Sequence, residues 1–284
     1  MKLYTIALCI LVAHILVSCE RNEDGNIPIE SKVVVEGWIE EGDVARVLLM
    51  HSIPITKTID SSNFLTYVIR SAMVIVSDGV EEDTLRLKTS NQYLPPFTYV
   101  GEKLIGKKGG RYKLRVKYLD RLLTAETTIP TTVPLEKVEY IRNEPSDTVG
   151  NLVANFTDPV DEQNYYQIAT LLVGHDEIYV PALYGNLSDK HFASSKITFQ
   201  ITRGVTIFPH TNFEAHFTNN DTIYVKLRTM PKHGFDFWNG WQNEIINAQN
   251  PIFPANSSLK GNIEGGGVGI WCGYGQSVKR IIAK

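Results

Sequence analysis

Short runs in which apolar and polar residues alternate follow one another along most of the chain. In residues 112–118, for example, every second residue is apolar or aromatic, and lysine or arginine stands between them. A period of two is typical of strands with one buried face. Clusters of glycine, aspartate and proline separate the runs and indicate turns. The pattern therefore predicts a mainly β protein.

The first half of the chain contains enough predicted strands for a β-sandwich of its own. Residues 84–88 alternate, and residues 72–77 end at Asp78-Gly79, a turn signal. We expect an N-terminal sandwich of immunoglobulin or transthyretin type. The six predicted strands cover residues 32–39, 45–50, 72–77, 84–88, 112–118 and 122–129.

Pro130 and Pro134 indicate a boundary between two domains. Prolines so close together favour an extended connection and cannot lie inside a central strand, because proline has no N–H to donate. We therefore predict an N-terminal β-sandwich domain at residues 32–130 and a second, β-rich domain at residues 131–284.

The second half is predicted to contain strands, one helix and a glycine-rich C-terminal stretch. The helix is expected over residues 235–246, near the C-terminus, because Trp238, Trp241 and Ile245 have the i, i+3, i+7 spacing of an apolar stripe. Glycines in residues 261–275 would let strands bend or approach other backbone closely. Strands are predicted at residues 138–141, 152–156, 165–173, 196–202 and 222–228, and a long loop or hairpin at residues 174–195.

The N-terminus has the pattern of a secretion signal followed by a lipid attachment site. Lys2 precedes a mostly apolar run, residues 3–17, which is shorter than the roughly 20 residues of a membrane span. The run ends in Leu-Val-Ser-Cys, which looks like a bacterial lipobox. We expect a signal peptide at residues 1–18, a lipid anchor at Cys19, and a polar tether at residues 19–31.

The anchor determines the expected location. Two acyl chains on one cysteine are enough for stable membrane attachment. The acidic segment after Cys19 resembles the export signal of surface lipoproteins in the Bacteroidetes. We therefore expect a protein that is lipid-anchored in the outer membrane and exposed at the cell surface.

Charge and cysteine content narrow the possible functions. The 284 residues include 28 Lys and Arg and 31 Asp and Glu, a formal net charge of −3. This balance argues against nucleic acid as a partner, because non-specific binding to phosphates needs a basic surface. Of the three cysteines, Cys9 leaves with the signal peptide and Cys19 is acylated. Cys272 is then expected to be a small core residue.

Motifs for catalysis or metal binding are absent from the sequence. No serine-hydrolase elbow, zinc-peptidase helix, phosphate-binding loop or EF-hand loop occurs. Asp158, Asp161 and Glu162 could bind calcium, but a turn that ends at Asp-Pro is the preferred interpretation. The histidines lack the short spacing of a zinc site. We expect no catalytic residue, no metal and no cofactor, and hence no enzyme.

The aromatic residues of the predicted helix are the best candidates for a functional surface. Flat ring faces could stack on sugars, or the same stripe could simply attach the helix to a sheet. Both interpretations remain open at this point. Trp238 and Trp241 are the residues that we single out as a possible partner or ligand surface.

The lipobox, the early strand at residues 33–39 and the C-terminal residues 262–266 and 269–270 follow a recognisable pattern. On these residues the chain resembles the DUF4249 family of Bacteroidetes envelope lipoproteins. It departs from the family pattern at Gly267-Val268 and Trp271-Cys272, which concerns local loop geometry. The resemblance implies an envelope lipoprotein, often encoded near TonB-dependent receptors, in a family without an agreed activity. The segments that match are the lipobox and residues 33–39, 72–79, 109–116, 127–130, 262–266 and 269–270.

The resemblance and the anchor together suggest a function. We expect a non-enzymatic outer-membrane lipoprotein that serves a TonB-dependent uptake system as an accessory or substrate-binding component, with a TonB-dependent receptor as partner. A structural or adhesive cell-surface protein built of β-domains is the main alternative. A hydrolase with an unrecognised site is a third, less favoured one.

Overall fold

The computed structural model describes residues 31–53, 63–143, 148–192, 194–204, 215–248 and 259–284, without the side chains of His191 and residues 245–248. The predicted signal peptide, the lipid anchor at Cys19 and the tether up to residue 30 lie outside these residues.

The described residues form a mainly β protein with one α-helix near the C-terminus, as the sequence predicted. Helix α1 is Lys232–Ala248, and short 3₁₀ helices lie at Phe64–Tyr67 and Asp189–His191. The strands are β1 (Val33–Glu40), β2 (Val44–His51), β3 (Met73–Ser77), β4 (Glu82–Thr84), β5 (Arg86–Thr89), β6 (Phe97–Ile105), β7 (Arg111–Tyr118), β8 (Arg121–Thr128), β9 (Leu135–Arg142), β10 (Val149–Thr157), β11 (Tyr165–Leu172), β12 (Val180–Ser188), β13 (Lys196–Ile201), β14 (Phe217–Thr218), β15 (Thr222–Thr229) and β16 (Val268–Ile282).

One long sheet contains strands from both halves of the chain. Its eight strands lie in the order β12-β11-β15-β16-β1-β2-β6-β5. The last strand, β16, lies near the middle of this sheet. Residues 268–274 run parallel to β1, and residues 275–282 run antiparallel to β15. Because one strand spans both pairings, the N-terminal and C-terminal strands form a continuous sheet.

Two smaller sheets cover one face of the long sheet. The sheet β4-β3-β7-β8 encloses a core that includes Trp271, and the sheet of β13, β10, β14 and β9 encloses a second core, against which Ile281 packs. Alternate residues of β16 point to the other face, where Ile270, Cys272 and Tyr274 pack with helix α1. The molecule therefore has two cores on one side of the long sheet and a helix on the other.

The predicted domain boundary separates two cores but not the long sheet. The first core takes its residues from the segment 33–129 with the addition of Trp271, and the second takes them from residues 133–283. The division into domains at residues 32–130 and 131–284 stays a prediction, and β16 is the strand that pairs with both halves of the chain. Its first half completes the N-terminal sheet, because its backbone groups bond to β1.

Four strand predictions also differ from the structure. The predicted strand at residues 84–88 is two strands, since Leu85 is buried between β4 and β5, which belong to different sheets. The expected loop or hairpin at residues 174–195 contains the nine-residue strand β12. Neither β6 nor the full length of β16 was predicted, because the glycines of both strands interrupt the apolar alternation.

The Asp83 carboxylate holds the chain where β6 turns away from regular pairing. Its Oδ2 accepts hydrogen bonds from the backbone N–H groups of Glu102, Lys103 and Leu104, at 2.8, 2.8 and 3.0 Å. Burial alone would raise the pKa of Asp83. The three backbone hydrogen bonds outweigh that effect and hold the pKa below its usual value. A side chain from β4 thus takes the place of a strand partner for β6.

Replacing this carboxylate should destabilise the fold in a pH-dependent way. We expect Asp83→Asn to lower the free energy of unfolding by about 1–3 kcal/mol at pH 7, because an amide accepts weaker hydrogen bonds. The folded pKa lies below the unfolded value of about 3.9, so this contribution is complete above that pH and disappears as the pH falls through the folded pKa. Urea unfolding of the variant and the unmodified protein at pH 7 and pH 2.5 measures this difference in the free energy of unfolding. The exposed Glu81→Gln is the control, and a difference that does not shrink in acid would contradict the role of Asp83.

Candidate functional site

The face of the long sheet that is turned away from the two cores bears buried charges and aromatic rings beside helix α1. Strand alternation places Glu36, Trp38 and Glu40 of β1 on this face, because Val35 and Ile39 point into the first core. The register of β16 with β15 brings Lys226 and Arg228 to the same face. We call the following residues the sheet-face cluster: Glu36, Trp38, Glu40, Tyr93, Tyr179, Lys226, Arg228 and Tyr274.

Glu40 forms ion pairs with two cations at the centre of the cluster. Its Oε2 accepts a hydrogen bond from Lys226 Nζ at 2.7 Å, and its Oε1 accepts one from Arg228 Nε at 2.9 Å. The side chains of Glu40, Lys226 and Arg228 are 6%, 8% and 16% exposed. These pairs join residues 186 and 188 positions apart in the sequence, and they connect the two halves of the long sheet.

The pKa shifts of Glu40, Lys226 and Arg228 follow from their burial and from the presence of two cations beside one carboxylate. Burial would raise the pKa of Glu40, but the neighbouring Arg228 and Lys226 charges hold it below its usual value. Burial and the Arg228 charge lower the pKa of Lys226, whereas Glu40 raises that of Arg228 in spite of burial. Two cations thus share one carboxylate in a poorly hydrated place.

A chain of hydrogen bonds links these charges to helix α1. Arg228 Nη1 donates to Gln167 Oε1 at 3.0 Å, and Gln167 Nε2 donates to Asn186 Oδ1 at the same distance. Asn186 Nδ2 then donates to Gln242 Oε1 of the helix at 3.0 Å. These hydrogen bonds connect the ion pairs of Glu40 to helix α1 through side chains that each have a partner.

Aromatic rings surround the charges. Lys226 Nζ lies 4.2 Å from the centre of the Tyr179 ring, and the Arg228 guanidinium lies 5.0 Å from the centre of the Tyr274 ring. These are distances at which a cation is attracted to a ring face. Tyr93 also contacts another ring, with its ring centre 5.6 Å from that of Trp38.

Glu36 differs from the other acidic residue of the cluster, Glu40. Its side chain is exposed, and it has no ion pair or hydrogen bond with any other described residue. Nevertheless, desolvation by the surrounding protein raises the pKa of its carboxyl, with Arg228 as the opposing influence. Glu36 is thus an exposed carboxyl without a partner among the described residues, beside the buried charges of the cluster.

The two predicted tryptophans lie at the border of this cluster with unequal exposure. Trp238 is partly buried, and its Nε1 donates a hydrogen bond to the Tyr274 hydroxyl at 2.7 Å. Trp241 is 37% exposed, and its ring centre is 5.9 Å from that of Trp238 in an edge-on arrangement. Trp238 therefore attaches the helix to the sheet, while Trp241 presents part of its ring to solvent.

Helix α1 lies so close to β16 that one position needs glycine. A Cβ on Gly234 would overlap with Cys272 Sγ. Cys272 is fully buried, and burial raises the pKa of its thiol to about 12. A neutral, inaccessible thiol is a packing residue, as the sequence indicated, and is unsuited to nucleophilic chemistry.

Of the three acidic candidates from the sequence, Asp158 has a side-chain partner among the described residues. Asp158, Asp161 and Glu162 line an open concavity of about 590 Å³ together with Asp189. Asp158 accepts a hydrogen bond from the Tyr166 hydroxyl, and Asp189 accepts one from the Asn164 backbone. Among the described residues, no group of three His, Cys, Asp or Glu side chains is placed to hold a metal ion.

The sequence analysis did not identify the central ion pairs, although one signal for the polar faces was present. Lys226 and Arg228 interrupt an otherwise apolar stretch of β15, and Glu36 and Glu40 interrupt β1. Charges at alternate positions of a strand indicate a polar face. The sequence does not indicate that these two polar faces meet, because β16 lies between them only in the folded chain.

Removal of the central carboxylate should be strongly destabilising. We expect Glu40→Gln to lower the free energy of unfolding by about 3–5 kcal/mol at pH 7, because it leaves two buried cations without a counter-charge. Glu40 has a lowered folded pKa, so its contribution is complete above the unfolded value of about 4.3 and is lost as the pH falls through the folded pKa.

The matched control for this substitution is Glu139→Gln. Glu139 pairs with Lys137 on the surface, with its side chain 44% exposed, and its loss should cost less than about 1 kcal/mol. Chemical unfolding of both variants measures the difference. Equal, small changes for both would contradict the importance of the buried group.

Two further findings come from the whole described chain and from comparison with known proteins. No helix in the described ranges has the length and apolar character needed to cross a membrane. No curated protein matches the chain significantly. Residues 22–280 match the family described as a domain of unknown function, DUF4249, and the chain therefore belongs to the DUF4249 family.

Proposed function

We propose that the protein is a non-enzymatic outer-membrane lipoprotein that serves a TonB-dependent uptake system as an accessory or substrate-binding component. In this proposal Cys19 anchors it, the body is exposed at the cell surface, and the source is a member of the Bacteroidetes. The anchor rests on the lipobox pattern before Cys19. The association with uptake rests on the resemblance to lipoproteins often encoded near such receptors.

The observation that supports binding is the position of Trp241. Trp241 is 37% exposed and packs edge-on against Trp238 at the border of the sheet-face cluster, which also contains Glu36, Tyr93 and Tyr179. Exposed aromatic rings next to polar groups are typical of binding surfaces, because the rings supply contact area and the polar groups supply orientation. Trp238 holds the exposed ring in place through the helix–sheet contact.

Two buried groups, Glu40 and Cys272, are unsuited to catalysis. The central carboxylate, Glu40, is occupied by Lys226 and Arg228, and the Cys272 thiol is buried with a pKa of about 12. A general base or nucleophile needs an accessible group with a pKa near the working pH. Neither residue fulfils that condition.

Attachment to the membrane makes a weak contact sufficient. A tethered protein encounters a neighbour in the same membrane at an effective concentration of about a millimolar. A contact with a Kd in the micromolar range would then be nearly saturated. An exposed patch of one or two aromatic rings is consistent with such an affinity.

Lipidation at Cys19 gives the first test of this proposal. We expect Cys19→Ser to leave the membrane fraction or to accumulate as a precursor with its signal peptide, because a hydroxyl is not a substrate for acyl attachment. Fractionation of cells followed by mass spectrometry of the N-terminal peptide measures this. Unchanged membrane association without a precursor would refute the lipid anchor.

The binding surface gives the second test. We expect Trp241→Ala to reduce copurification of the TonB-dependent receptor at least threefold without a large loss of stability, because the ring is partly exposed. Ile141→Ala, at a residue 54% exposed on β9, is the control and should change nothing. Cross-linking in native membranes followed by quantitative mass spectrometry measures recovery. Absence of any receptor, combined with turnover of a glycan or peptide by the pure protein, would replace this proposal with an enzymatic one.

A further inference from the structure

The end of the body that receives the chain from the tether has an unusual surface. The acidic Asp120 of the β7–β8 turn is exposed there, and so are three apolar and two basic side chains. We call the apolar and basic ones the tether-end surface: Lys32, Met73, Lys117, Leu119 and Leu122.

The first described residue is fixed to this end. The Ser31 carbonyl accepts a hydrogen bond from Arg121 Nη1 at 3.1 Å, next to the β7–β8 turn. His51 lies between the Ser31 hydroxyl, at 3.5 Å, and the Tyr118 hydroxyl, at 3.2 Å. The tether therefore leaves the body at the β7–β8 turn and at the end of β2.

Three large apolar side chains are exposed at the same place. Leu119, Leu122 and Met73 are 76%, 56% and 55% exposed. The register pairs Met73 with Lys117 and Lys117 with Leu122, so these residues form one row across three strands. Leu119 lies in the turn beyond this row, with a φ of 53°. Exposed apolar residues that adjoin one another mark a contact surface more often than single ones do.

The charge of this end is complementary to an anionic surface. Lys32 and Lys117 are exposed and have no acidic partner among the described residues. Among the other cations of β7, Arg115 pairs with Glu82 and Lys113 pairs with Glu126, whereas the exposed Arg111 at the opposite end of the strand has no ion pair with a described residue. Lys117 is thus the unpaired cation of β7 that lies at the tether end.

We propose that the tether-end surface rests on the lipid bilayer. This proposal depends on the lipid anchor of the proposed function. The leucines and Met73 would reach the boundary between headgroups and acyl chains, and Lys32 and Lys117 would pair with anionic headgroups. Apolar side chains combined with cations are the usual composition of interfacial membrane contacts.

The anchor by itself does not enforce this contact. Cys19 lies twelve residues before Ser31, and a chain of that length spans about 40 Å when fully extended. The body could therefore stand well away from the membrane. In this proposal the composition of the tether-end surface, and not the length of the tether, holds the body against the bilayer.

The proposed contact also orients the sheet-face cluster. Strand β1 begins at Val33, at the tether end, and Glu40 is its last residue. At about 3.3 Å per residue, Glu40 would lie about 20 Å farther from the bilayer. The cluster and helix α1 would then face sideways, at a height where the external part of an integral receptor is accessible.

The test measures how close each end of the body is to lipid. The full-length, lipidated protein is reconstituted into vesicles of phosphatidylethanolamine and phosphatidylglycerol that contain brominated acyl chains. A fluorescent label is attached to Leu119→Cys or, as control, to Val80→Cys. Val80 is 91% exposed in the β3–β4 turn at the other end of the same sheet. Cys272 is buried and does not compete for the label.

We expect bromine to quench the label at position 119 at least threefold more than the label at position 80. The double variant Met73→Asp/Leu122→Asp should remove most of that difference, and because both residues are exposed its thermal stability should be unchanged. Equal quenching at both positions would overturn the proposal. So would a label at position 119 that lipid does not quench but that native membranes protect, since a protein would then cover this end.

The outcomes also separate this inference from the proposed function. A protein that stays in the vesicles with an unquenched label refutes the membrane contact and leaves the anchor intact. A protein that fails to enter the vesicles at all refutes the anchor, and the contact with it. Copurification of a receptor is measured independently of both.

Discussion

The pairing of β16 with two different strands is the constraint on which the rest of the structure depends. Residues 268–274 complete the sheet of the N-terminal half, and residues 275–282 complete that of the C-terminal half. The last strand of the chain must therefore be in place before either half is whole. Its side chains serve three environments at once: Trp271 fills the first core, Ile281 packs against the second, and Ile270, Cys272 and Tyr274 receive the helix. The two halves of the chain form one continuous sheet because β16 pairs with a strand from each half.

The same arrangement explains why buried charges occur on the outer face of the long sheet. The side chains of β16 on that face are mostly apolar near helix α1, and beyond the helix Glu40, Lys226 and Arg228 cover the strand. Glu40 of β1 pairs with Lys226 and Arg228 of β15 across β16. Apolar side chains at these positions would not need such ion pairs. The group contributes to specificity of pairing as well as to stability, since a shift in the register of β16 would separate the charges. The hydrogen bonds from Arg228 through Gln167 and Asn186 to Gln242 extend this arrangement to the helix that presents Trp241.

The tether-end surface and the sheet-face cluster lie toward opposite ends of strand β1. The tether enters at one end, next to Met73, Leu119 and Leu122, and the sheet-face cluster lies toward the far end of β1. Membership in the DUF4249 family supplies no activity, so the argument for a binding role depends on this geometry and on the accessibility of the aromatic rings. In the proposed arrangement, a body anchored to a membrane at one end presents an aromatic face on its side to neighbours in that membrane.

The sequence by itself determined the fold class, the family and most individual elements. Runs of β-branched and apolar residues bounded by turn signals located β1, β2, β3 and most strands of the second half. Alternation located β7, and the spacing of Trp238, Trp241 and Ile245 located helix α1, because these signals are local. Gly101 in β6 and six glycines in and around β16 obscured those strands, since glycine has no side chain from which a buried face can be recognised. Only the tertiary structure decided that β16 joins both halves, that Glu40 meets Lys226 and Arg228, and that Trp238 is half-buried while Trp241 is exposed. Each of these depends on residues far apart in the chain, and long-range strand order leaves no trace in local periodicity.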